Sequence, residues 1–116
     1  KVDGGSVEAI ERINGVRLEP ATVARNLAHC AQLCPTWVQT CMLRWDGALP
    51  SDADIDAWLA VLEAAGTERL RGVLLYGVAR PSMQPEAPRI ATLAADELEA
   101  IAERARKKGL TVRVSP

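Results

Sequence analysis

Phenylalanine is absent from this 116-residue chain, and its aromatic residues are three tryptophans and one tyrosine. A platform that stacks several bases needs more rings than that, so single-stranded nucleic acid is not an expected partner. Charge of one sign is also missing. Fourteen Lys and Arg stand against 15 Asp and Glu, a net −1, so no broad field draws in a duplex or an anionic membrane. No apolar run approaches the ~18 residues that a membrane span requires, and no signal-peptide pattern is visible. Glycine-rich phosphate loops are lacking: neither G-x-G-x-x-G nor G-K-[ST] occurs. Cysteine is scarce and odd in number, three in all, which favours a reducing cytoplasm over a disulfide framework.

What remains is ordinary globular composition, 48% hydrophobic and 25% charged, at a length that suits one domain over residues 1–116. The first residue is Lys rather than Met, and a piece of something longer is expected. After "KVD" and "GG", Ser6 can cap a helix carrying Val7, Ile10 and Ile13, which "NG" at 14–15 ends. A second helix should start near Pro20 and stop at Pro35, with Val23, Leu27, Cys30 and Cys34 as its apolar stripe. "TWVQTCMLRW" reads as one strand, with Trp37, Gln39, Cys41 and Leu43 on one face and Val38, Thr40 and Met42 on the other. Neither face is purely polar, so both are expected to be covered, as in a parallel sheet.

"SDADIDAWLAVLEAAG" is the clearest helix. Ser51 and Asp54 form its capping box, Ile55, Trp58, Leu59 and Leu62 its buried stripe, and Gly66 its end. "RGVLLYGVAR" is a second strand, followed by a proline-rich loop from Pro81 to about Ile90. "ADELEAIAERARKKG" is a helix with its acids first and its bases last, and "LTVRV" is a closing strand. The alternation predicts an α/β fold with parallel strands, too few to close a barrel, whose open edges need cover.

"HCAQLCPTWVQTC" (29–41) holds the one histidine and every cysteine. A Cys3His metal site would use these ligand types, but two thiols on one helical stripe and a third in a strand lack the tight turns that structural zinc sites use. Packing as small hydrophobes is the favoured reading. A catalytic Cys41 would need His29 as its base, and nothing in the sequence brings them together.

Ligands of open α/β sheets bind outside the carboxyl ends of the strands. There stand Asp3, the segment from Leu43 to Asp46, and the segment from Tyr76 to Ser82. Arg80 offers a guanidinium fork for a carboxylate or phosphate, with pairing to Glu86 as the plainer role. Gln39, polar within an apolar strand, either touches a ligand or joins an internal hydrogen-bond pair.

"KVD" with a helix ending in "INGV", then "PTWVQTCMLRWDGALPSDADIDAWLAVL", "LRGVLLYGVARPSMQPEAPRI" and "LTVRVSP", resembles the C-terminal half of radical S-adenosylmethionine proteins over nearly the whole chain. The shared motifs are Tyr76 with Arg80-Pro81 and the pair Gln39-Thr40. The resemblance implies a fragment of a partial TIM-type (β/α) barrel, with Gln39, Tyr76 and Arg80 on the cofactor and Asp3, Arg80 and Ser82 on the substrate. S-adenosylmethionine and a [4Fe–4S] cluster are implied only for a full-length relative. The family's C-x3-C-x2-C signature is missing, "CAQLC" matching its first part alone, so the chain is expected to be inactive by itself. The implied partner is an N-terminal half-barrel. The alternative is a stand-alone, non-enzymatic α/β half-barrel that self-associates or binds another protein through its open edges.

Overall fold

The helix starts at Ser6 and Ser51 carry a side-chain cap and the one at Pro20 a proline in its first turn, while the strands of the main sheet are short runs rich in β-branched or aliphatic residues. The computed structural model describes residues 1–78, 85 and 87–115. Helix α1 (Val7–Asn14) opens on Ser6, whose hydroxyl accepts the Ala9 N–H, and closes on Gly15 in the left-handed conformation. Helix α2 (Pro20–Leu33) follows. Then come strand β1 (Trp37–Cys41), strand β2 (Leu43–Trp45), helix α3 (Asp52–Ala65), strand β3 (Gly72–Tyr76), strand β4 (Ile90–Thr92), helix α4 (Ala95–Arg106) and strand β5 (Val112–Ser115). The Ser51–Asp54 capping box of α3 forms in both directions.

Strands β1, β3 and β5 make a parallel sheet in that spatial order, so neighbours in space are also consecutive among these strands in the chain. The segment at Val2 lies on the free side of β1, where its N–H donates to the Gln39 carbonyl at 2.9 Å. This segment is strand-like and has no assigned ladder.

One buried cluster joins the sheet to its helices. Val38, Val73, Leu75 and Val112 meet Ala24 of α2, the stripe Ile55, Trp58, Leu59 and Leu62 of α3, and Leu98, Ile101, Ala102 and Ala105 of α4. Both predicted stripes of α3 and α4 are thus inward, and burying each large aliphatic side chain stabilises the fold by roughly 1.5–3 kcal/mol. Gly5 lets the first connection run against α3: a Cβ there would lie 2.1 Å from the Ala57 carbonyl.

Three expectations are corrected. The stretch 36–45 is not one strand. The chain breaks at Met42, whose N–H turns to the Tyr76 carbonyl, and β2 leaves the parallel sheet to pair antiparallel with β4. Nor do the described helices cover the sheet on both faces. Val38 and Thr40 are buried, whereas Gln39 is exposed and Trp37 and Cys41 are half-buried. Leu74, Tyr76 and Arg113 share that second face by register, and no helix core residue joins them. Trp37 partly covers it at one end, lying over Gly72 and under the Arg113 guanidinium, 4.6 Å from its ring.

Finally, the cysteines of α2 do not pack. Its contact face centres on Ala24, with Val23, Leu27 and Ala31 beside it, while Cys30 and Cys34 are exposed and unbridged. Alanines bring α2 close to α3, and this rotates Cys30 to the outer edge. Among the described residues no helix is long and apolar enough to cross a membrane.

Candidate functional site

At the carboxyl ends of the Val2 segment and β1, polar side chains converge under α1 and the start of α3. Asp3 is the hub. Its side chain has no exposed surface, and it receives the Cys41 N–H (2.8 Å) on Oδ1 and the Asn14 amide (3.2 Å) and Lys1 ammonium (3.0 Å) on Oδ2. A buried carboxylate needs such donors. Partial burial works against the Lys1 charge, but the bond to Asp3 and the Asp3 charge, aided by Tyr76, hold its pKa above the ordinary value. Burial first, and the Asp3 charge second, push the Cys41 thiol up against a smaller opposing effect of Lys1. Both effects favour the Cys41 thiol over the thiolate, the form that acts as a nucleophile.

Behind Asp3, Thr40 is fully buried. Its hydroxyl donates to the Val2 carbonyl at 2.7 Å and accepts from the Trp58 indole at 3.2 Å, pinning the first segment, β1 and α3 together.

Between α1, α3 and the β2 turn lies a cavity of about 260 Å³. Asp3, Met42 and Trp58 form its buried floor, and Arg12, Ala48 and Leu49 its exposed rim. The turn is a tight hairpin: Trp45 and Ala48 exchange backbone hydrogen bonds, and Asp46 and Gly47 both have positive φ (53° and 80°), as a two-residue Asp-Gly hairpin requires. Arg89 fixes it from below. Its guanidinium meets the Asp46 carboxylate in two hydrogen bonds, 2.9 and 2.6 Å, and these hold the Asp46 pKa below the usual carboxylate value. The Trp45 ring carries two cations, Arg89 at 4.6 Å and Arg12 at 5.4 Å.

The sequence-derived candidates separate in this setting. Asp3 lies in the site, with its carboxylate already shared among three donors. Gln39 and Tyr76 stand on the uncovered sheet face, and Tyr76 sits beside Cys41 in register with Lys1 6.0 Å from its ring. Gln39 is exposed, so the internal-pair reading of its amide is corrected. Arg80 and Ser82 lie outside the described residues, as does Glu86. His29 is exposed on α2 and makes no hydrogen bond to Cys41. Among the described residues no three His, Cys, Asp or Glu side chains are grouped as a metal site needs.

Sequence reasoning missed Arg12 and Trp45. Arg12 looked like one more base on a helix surface, and Trp45 like the end of a long strand. The "DG" after Trp45 was the available signal, because a hairpin there turns the ring out of the parallel sheet. Set against protein-family models, curated proteins and solved structures, the chain matches none of them.

Proposed function

We propose that the chain is the C-terminal portion of a radical S-adenosylmethionine enzyme, a half-barrel that supplies inner-face and strand-end residues and is inactive alone. The observation that carries this reading is the one-sided sheet. Three parallel strands follow one another in space as in sequence, their helices meet one core face, and the other face is left open with Gln39, Leu74, Tyr76 and Arg113 on it. A (β/α) barrel is wound in this way, whereas a doubly wound sheet carries helices on both faces. On this reading the open face is a barrel interior and a reducing cytoplasm suits the three free thiols.

The described residues do not fit a [4Fe–4S] cluster. Cys30 and Cys34 are on the helix side of the sheet, Cys41 is on the opposite face, and no step through a cluster is assigned to this chain. S-adenosylmethionine fits better: the exposed Gln39 amide can both donate and accept, and Tyr76 adds a phenol, as hydroxyls and a carboxylate require. Bound beside a cluster, that cofactor would supply a carbon radical. Arg80 and Ser82 are proposed on the substrate side, with Asp3 orienting the strand end that faces it.

The test is the intact mass of the native polypeptide in its source cells, detected with an antibody to this segment. A product of roughly 250 residues or more, the size of a (β/α) barrel, supports the reading. A product near 12.5 kDa sinks it. The second reading, a stand-alone half-barrel that self-associates, would then hold. It is favoured by the same uncovered face and by Leu33, 73% exposed on α2.

A further inference from the structure

The cavity between α1, α3 and the Trp45–Ala48 hairpin is built to a particular chemistry, and neither Gln39 nor Tyr76 lines it. We propose that it binds a small organic acid, with a ring-sized apolar body inside and its carboxylate on Arg12. The inference does not depend on the radical-enzyme reading.

Size comes first. An apolar protein cavity of about 150 Å³ holds a benzene ring, so about 260 Å³ admits one ring with a short side chain. The walls suit such a body: Ile13, Met42, Leu43, Leu49 and the two tryptophans leave mostly apolar surface.

Polarity comes next, and it is decided by elimination. Asp3 is saturated by three donors. Ser51 and Asp54 are spent on the cap of α3. The Trp58 indole N–H is given to Thr40. Arg12 alone among the charged lining groups has no hydrogen bond or ion pair with any described residue. Its natural partner, Asp46, is close enough to feel its charge but is occupied by Arg89. The Arg12 guanidinium is instead laid over the Trp45 ring at the rim, where stacking limits its motion while its N–H edges stay available. A fork of donors above an apolar pocket selects a planar anion.

Phenylacetate and its neutral isostere phenylacetamide test the proposal, read on the indole N–H signals in ¹⁵N NMR spectra of the 116-residue chain. Trp45 and Trp58 line the cavity, and Trp37, at the opposite end of β1, is an internal control. Phenylacetate should shift the Trp45 and Trp58 signals saturably and leave Trp37 unmoved. Phenylacetamide should bind about tenfold more weakly, the order expected for losing a charge-assisted hydrogen bond. Arg12→Gln should bring the acid down to the amide's affinity with the remaining spectrum unchanged. Ala9→Met, which grows into the cavity from α1, should block both compounds. Equal affinity for acid and amide, a Trp37 shift as large as the others, or no saturation by about 10 mM acid would each overturn it.

Discussion

At the residue scale the fold turns on a hydroxyl. Thr40 joins two groups that water cannot reach, the Val2 carbonyl and the Trp58 indole N–H. Thr40→Val keeps the shape and removes both bonds, and each buried group left unpaired costs about 1–3 kcal/mol. Urea unfolding of T40V should therefore show a loss of about 2–6 kcal/mol at an unchanged m-value. Trp58→Phe should then cost less in the T40V background than in the parent, because one of its losses has already been taken. Additive costs would mean that the pair is not coupled. None of this could be read in the sequence. Thr40 was placed on the right face by alternation, but its partners lie 38 residues upstream and 18 downstream. Asp3 was found as a strand-end acid, and the donors that bind it internally come from other elements. Cys30 and Cys34 were misplaced because the period of α2 leaves several stripes open, and alanine rather than the larger side chains made the contact.

At the element scale, local signals decided what was legible. Helices α1 and α3 carry their own caps, α3 and α4 their own stripes, and α3 and α4 stand where the sequence put them. The β2–β4 ribbon was invisible because its two short strands are more than 40 residues apart and neither has a pattern of its own. Helix α4 shows an unfinished cap. Glu97 accepts the Ala94 N–H at 2.8 Å and meets Arg44, but Ala94 has no side-chain oxygen to return the bond. Ala94→Ser would complete the box and should stabilise the protein by about 1 kcal/mol, read as a rise in Tm. The pH dependence follows from Glu97, whose pKa the Ala94 N–H, with help from Arg44, holds below its ordinary 4.5. A carboxylate depressed in the folded state contributes its full stabilisation above its unfolded pKa and loses it as pH falls through the folded one. Stability should thus decline below about pH 4.5, and Glu97→Gln should flatten that decline. An unaltered slope in the variant would assign acid unfolding to other carboxylates.

At the scale of the whole molecule the uncovered sheet face dominates. Trp37, Leu74 and Tyr76 place apolar area there that none of the described helices reaches. The isolated chain should self-associate through it. Light scattering should give a mass above that of one chain at high concentration, and Leu74→Lys, which sets a charge mid-face beside Gln39, should return it to one. A parent chain that stays monomeric throughout would contradict this. The parallel α/β class was legible because strand–helix alternation is a property of the whole pattern. Which face lies open was not, since half-buried aliphatics look the same under a helix as against a missing partner.

The strand order has one more consequence, for synthesis. β1 begins at residue 37, β3 at 72 and β5 at 112, so each new strand pairs with the one made just before it. At about 5–20 residues per second, a ribosome leaves an interval of several seconds between strands. Each strand can dock on its predecessor before the next has left the exit tunnel. The sheet is one that can be assembled in order of birth.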